Sequence, residues 1–208
     1  MGKNLSKQKV IDAASELFFQ YGFHGTSVRD IAKRASVNVS LISYYFKNKQ
    51  GLLEHAIIQY YEAYLQMIET VSNQATATCP LDHIKQLVEA IIQYKQTNHQ
   101  LSCFIHRELS LDSVFVREMT VTYLAKENYF IREALFSALS WNRISGMDKQ
   151  FLLMQLKGML VTPYVLQHEW KNQVIGQSSH DAFVEKYVRL IHDWLDYVVN
   201  RFGPVTLK

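Results

Sequence analysis

His99, Cys103 and His106 stand at i, i+4 and i+7, a spacing that points three metal-ligating side chains one way on a continuous helix. A helix break near Leu101 would separate them and no fourth ligand is apparent, so ordinary packing is the expected role. Cys79 and Cys103 lie 24 positions apart with no CxxC spacing, which suits free thiols rather than a redox pair. The sequence has no GxSxG, P-loop, dinucleotide fingerprint or HExxH, and neither an enzyme nor a cofactor is expected. Phosphate contact is the chemistry that remains. Residues 1–55 hold eight Lys and Arg against four acids, whereas the rest of the chain has fourteen against fifteen. A positive excess confined to one small segment is the electrostatic footprint of nucleic-acid binding, although a solvated basic surface gives the same count.

Positioning these residues requires a scaffold, and the sequence reads as helices. Of 208 residues 48% are hydrophobic, with only eight Gly and three Pro, which argues against disorder and against a turn-rich β fold. Apolar residues recur at helical spacing with no alternating strand pattern, so an all-α fold of about nine helices is expected. The most apolar stretch, 159–166, is far too short to cross a bilayer. The opening MGKNLSKQKVIDAA lacks the apolar core of a secretory signal, and the cytoplasm is the expected compartment. A first helix should run over 6–21 from an N-cap at Ser6, with Val10, Ala14, Leu17, Phe18 and Tyr21 on one face and Gly22 as its stop. Ser27 and Asp30 form a capping box for the second, Asn38 opens a third ending at Phe46, and Asn48 caps a long fourth from Lys49. A break at Thr78 or Cys79 precedes Pro80, and further helices should cover 81–99, 101–109, 113–140, 148–170 and 179–201, with a kink at Pro163.

Val28–Lys47, VRDIAKRASVNVSLISYYFK, is the most informative segment. Ala32 gives the small residue needed where two helices cross closely, and Ile31, Ala35, Val37, Ile42 and Tyr45 fall where a tight helix-turn-helix faces inward. Ser36 occupies the turn position that favours Gly, and a positive φ there carries about 1–2 kcal/mol of strain. The third helix is the expected reader, because Asn38, Val39, Ser40, Ser43 and Tyr44 are left outside. It lacks Arg, Lys and Gln, so bidentate base contacts must come mainly from outside it.

GFHGTSVRDIAKRASVNVSLISYYFKNKQGLLEH resembles the DNA-binding domain of TetR-family regulators, through Gly22-Phe23, Gly25-Thr26-Ser27, Ile31-Ala32, Tyr45-Phe46, Lys49 and Leu52-Leu53. The resemblance implies a DNA-binding domain over 1–48, a helical dimerisation and regulatory domain over 49–208, and an inverted-repeat double-stranded DNA site. It also implies that Arg29, Val39, Ser40 and Tyr44 face base edges, while Thr26, Ser27, Ser43, Tyr45 and Lys49 hold phosphates. Tyr44 and Tyr45 have packing as an alternative role, more so Tyr45 because it shares an inward position.

In the C-terminal part, Val184, Tyr187, Val188, Ile191, Trp194, Leu195 and Val198 form a stripe on the last helix, and Leu152, Leu156, Met159 and Leu160 one on the helix before it. Together they fit a four-helix homodimer interface, which would place two reading heads on two half-sites. Arg107, Glu108, Arg117 and Glu118 suit either local ion pairs or a partner-binding surface. Aromatic residues in the middle region, among them Tyr94, Phe104, Phe115, Tyr123, Tyr129 and Phe130, suit either a pocket for a small-molecule effector or an ordinary helical core. SVNVSLISYYFKNKQGLLEH, HRELSLDSVFVREMTVTYL and LKGMLVTPYVL together extend the resemblance to the RefZ-type branch of the family. That likeness implies a nucleoid-associated role in forespore chromosome capture during sporulation, with the division protein FtsZ as a partner. The alternative is a ligand-responsive repressor.

Overall fold

The computed structural model of the chain describes residues 2–74, 79–110, 114–139, 143–166 and 180–203. Among the described residues there are nine helices and no strand: α1 (Gly2–Tyr21), α2 (Val28–Ala35), α3 (Val39–Phe46), α4 (Lys49–Gln74), α5 (Pro80–Thr97), α6 (His99–Ser110), α7 (Val114–Ser137), α8 (Gly146–Val165) and α9 (His180–Phe202). The expected all-α class is present. The expected break at Thr78, the side chain of Phe115 and the extension of α8 to Trp170 lie outside the described residues. None of the described helices is long and apolar enough to cross a membrane.

Contacts divide the chain into one unit of residues 1–62 and 98–121 and another of residues 63–97 and 122–208. This differs from a cut after residue 48, because α6 packs on α1 and joins the N-terminal unit. In that unit α1 begins ahead of Ser6, which therefore lies inside the helix and does not cap it. Val10, Ala14 and Phe18 are buried, while Tyr21 is exposed where the chain turns off at Gly22 with φ +74°. Ile31, Ala32 and Ala35 of α2 and Ile42 of α3 are buried as the helix-turn-helix spacing requires. Phe46, not Tyr45, is the second buried anchor of α3, one helical turn on from Ile42.

Ser36 adopts the left-handed conformation, φ 55° and ψ 45°, and its N–H bonds to the Lys33 carbonyl. A Cβ in that region is strained and Gly is not, so Ser36→Gly should stabilise the protein by about 1 kcal/mol in urea unfolding. An unchanged midpoint would mean that the serine side chain offsets its own strain.

The core of the second unit is built by Ile84, Leu87, Val88, Ile91 and Ile92 of α5 with apolar residues of α8 and α9. Pro163 sits inside α8 and has no N–H for the carbonyl of Met159. The Tyr187 hydroxyl of α9 donates to that carbonyl at 2.8 Å and replaces the missing bond. Lys85 of α5 pairs with Asp196 of α9 at 2.6 Å. Deeper in, the Lys95 ammonium lies 3.3 Å from Glu127 Oε1 and 3.4 Å from the Leu160 carbonyl, and the Tyr64 hydroxyl donates to the same carboxylate oxygen. Beside them the Tyr94 ring lies 5.2 Å from that of Tyr64, and burial pushes the Tyr94 hydroxyl up to about 12.

The stripes expected at a dimer interface divide between buried and half-buried positions. Leu156, Leu160, Val188, Ile191, Leu195 and Val198 are buried in the unit's own core and cannot reach a second subunit. Leu152, Met159, Val184, Tyr187 and Trp194 are half-buried. The apolar side chains left uncovered are Met147, Phe151 and Met154 on α8, at 69%, 51% and 64% exposure, and Leu190 and Tyr197 on α9. Both helices are apolar on two sides, and periodicity alone does not say which side faces inward.

Candidate nucleic-acid interface

Local capping sets where α2 and α3 begin. The Ser27 hydroxyl accepts from the Asp30 N–H at 3.2 Å, and the Asp30 carboxylate accepts from the Ser27 N–H at 3.1 Å. The hydroxyl of Ser27, then its N–H, holds the Asp30 carboxyl below the usual range, so the cap persists until pH falls through that lowered value. Arg29 follows in the first turn with its side chain exposed. At the start of α3 the Asn38 Oδ1 accepts from the Ser40 N–H at 2.9 Å and from its hydroxyl at 2.8 Å. Asn38 is thus a cap, and the Ser40 oxygen keeps acceptor capacity.

Val39, Ser40, Ser43 and Tyr44 form the outer face of α3, Tyr44 being 74% exposed. Tyr45 is half-buried, with its ring 5.2 Å from Tyr44 and 6.1 Å from Phe46. Arg29, Val39, Ser40, Ser43 and Tyr44 are therefore open to a ligand, and Tyr45 partly packs.

Two expected phosphate contacts are turned inward instead. Thr26 is 2% exposed, and its hydroxyl faces the carbonyls of Leu17 at 3.1 Å and Gly22 at 2.9 Å. The Lys49 ammonium donates to the carbonyls of Phe23 at 2.7 Å and Thr26 at 2.8 Å, and lies 4.4 Å over the Phe23 ring. Both residues tie down the turn between α1 and α2 by bonding its backbone carbonyls. Gly25 belongs to the same tight approach, since a Cβ there would meet the Tyr21 carbonyl oxygen at 2.3 Å.

Lys47 was not singled out by its sequence position. It directly follows α3 with an exposed side chain, and its φ of 68° and ψ of −55° make a strained γ-turn closed by the Asn48 N–H on the Phe46 carbonyl at 2.8 Å. The available signal was its charge, alone between Tyr44 and Asn48. Arg34, by contrast, is engaged by Glu16 of α1 through two bonds of 2.8 and 2.6 Å.

The other candidates sit on α6 and α7. The helix break falls at Asn98, ahead of His99, so α6 runs unbroken through Leu101, and Cys103 Sγ lies 3.6 Å from His99 Nε2. Burial pushes the Cys103 thiol up to about 12, which disfavours a thiolate, and no cluster of three metal-ligating side chains occurs among the described residues. Arg107, expected on a partner surface, is directed into its own unit: its guanidinium donates to the carbonyls of Phe19 at 3.1 Å and Phe18 at 2.9 Å. Glu108 is half-buried, while Arg117 and Glu118 are exposed on α7.

Residues 10–56 match the sequence profile of the bacterial regulatory proteins of the tetR family. Over 203 residues, 97% of each chain, the protein is 37% identical to YttP of Bacillus subtilis (strain 168), described as a probable HTH-type transcriptional regulator. The chain belongs to the TetR family. It is also 30% identical over 100 residues, about half of each chain, to the regulator BetI of Escherichia coli. Among the solved structures that share its fold are two transcriptional regulators. FadR of Bacillus subtilis, a transcriptional regulator crystallised with stearoyl-CoA, superimposes with a TM-score of 0.64 at 20% identity over 88% of this chain and 96% of its own. PfmR of Thermus thermophilus, a TetR family transcriptional regulator, gives 0.65 at 17% identity over 95% and 96%. The chain is a TetR-type transcriptional regulator, and YttP and BetI are both described as HTH-type transcriptional regulators.

Proposed function

We propose that this TetR-family regulator acts as a homodimer on inverted-repeat DNA and is released by a small-molecule effector. The observation that carries the reading is the open outer face of α3 beside Arg29 and Lys47, set on the buried anchors Ile42 and Phe46. Arg29 is the bidentate reader of a guanine edge, Val39 meets a thymine methyl, and Ser40 and Tyr44 complete the base contacts. Ser27, Ser43, Tyr45 and Lys47 hold phosphates, and Asn38 orients the start of the reader. With so few base-reading groups, DNA shape carries part of the specificity. The uncovered apolar side chains of α8 and α9 are the surface a second subunit would cover. The effector reading is supported by the fold shared with FadR, whose crystals hold stearoyl-CoA.

A genome-wide map of bound sites, compared between wild type and Arg29→Ala, tests the reading. Inverted repeats in promoters, with neighbouring transcripts rising on deletion, are the expected result. Arg29→Ala should relax preference at one base per half-site and cost about 1–3 kcal/mol there. For the effector, stearoyl-CoA at 100 times its dissociation constant should add about 2.7 kcal/mol of stability, read as a rise in Tm. An unmoved Tm removes long-chain acyl-CoA as the effector class.

The three sequence segments resembling the RefZ-type branch favour a second reading, chromosome capture with FtsZ as partner. In that case the bound sites gather around the replication origin and purified FtsZ binds the protein. Sites confined to promoters would set this second reading aside.

A further inference from the structure

We propose that Arg107 of α6 is a positioning residue of the DNA-reading apparatus, although it lies outside the helix-turn-helix. Its guanidinium fork reaches two successive carbonyls at the end of α1, Phe18 and Phe19, at 2.9 and 3.1 Å. These lie in the last turn of the helix, where its dipole favours a cation; the Phe18 carbonyl also accepts from the Gly22 N–H at 2.9 Å, so Arg107 adds a charged second donor there. One turn earlier on α6, the fully buried Phe104 stacks on Phe18 at 5.5 Å and 29°. The guanidinium carbon lies 5.8 Å from the Phe104 ring, so its donors are aimed by packing as well as by hydrogen bonds.

The end of α1 that Arg107 holds is the anchor of the reading elements. Thr26 attaches there through the Leu17 and Gly22 carbonyls, and Ser27, the next residue, is the cap of α2. Arg29 stands two residues further on. Lys49 closes the same turn through the Phe23 and Thr26 carbonyls. Arg107 on one side and Thr26 and Lys49 on the other thus fix the turn that sets where α2 begins. Without Arg107 the turn samples more arrangements, and DNA binding must first select the competent one, which weakens apparent affinity by the fraction populated. The phosphate contacts themselves are unchanged.

The test uses full-length Arg107→Met and Arg107→Lys with a duplex taken from the most enriched bound site, well below the Tm of each protein. Arg107→Met should bind about tenfold more weakly, as loss of a charged donor to two carbonyls implies, and Arg107→Lys, which keeps charge but not the fork, about threefold more weakly. The slope of affinity against salt should stay that of wild type, because no phosphate contact is lost. A role in stability alone would lower Tm and leave the affinity of the folded protein unmoved. Equal affinity of wild type and Arg107→Met overturns the proposal; should that variant not fold, equal affinity of wild type and Arg107→Lys does so. Wild type that binds no duplex would instead remove the DNA reading on which the proposal rests.

Discussion

Lys95→Met is expected to destabilise the C-terminal unit by about 3–5 kcal/mol, the cost of leaving a buried carboxylate without its cation. The side chains of Lys95 and Glu127 are 2% and 8% exposed, so water does little to solvate Glu127 once the ammonium is gone. Tyr64 still donates to that carboxylate, but one neutral hydroxyl replaces neither the charge nor the bond of 3.3 Å. Adding Glu127→Gln to Lys95→Met removes the orphaned charge while keeping an acceptor for Tyr64. The double variant should therefore be more stable than Lys95→Met alone. Urea unfolding of the two single variants and the double one reads the coupling directly. Strictly additive losses would show that the two charges do not stabilise one another.

The second large effect is at Lys49. Its ammonium makes two short bonds to turn carbonyls, each worth about 1.5–3 kcal/mol when the donor is charged. Lys49→Ala is expected to lower stability by about 3 kcal/mol and to weaken all duplexes alike through a loosened turn. The slope of log affinity against log salt should not change, because the ammonium is not on a phosphate. Lys47→Ala is the counterpart: stability is nearly unaltered, but the slope flattens by about one as a phosphate contact disappears. If Lys49→Ala flattens the slope and Lys47→Ala does not, the two roles are reversed.

What the sequence discloses depends on how far each residue must reach. The capping pair Ser27 and Asp30, the Asn38 cap and the positive φ at Ser36 involve neighbours within three positions or the residue itself, and all were legible. Thr26, Lys49 and Arg107 escaped because their partners are backbone carbonyls, which every residue has and no residue type marks. Lys49 reaches back 26 and 23 positions, and Arg107 reaches back 89 and 88. A basic side chain in a basic segment then reads as a phosphate ligand when it is a tether. The α8 and α9 faces failed for another reason: Leu156 and Phe151 are both large and apolar, and only tertiary packing decides that the first is inside and the second outside.

The N-terminal unit is discontinuous in sequence, and this fixes an order of events during synthesis. A nascent chain has made α1, α2 and α3 by residue 46, yet Phe104 and Arg107, which floor and clamp α1, are translated only after all of α4 and α5. The reading head stays unfinished while those residues are inside the ribosome, and the protein cannot engage DNA at full strength until α6 has emerged. A fragment ending at residue 62 would reproduce this immature state.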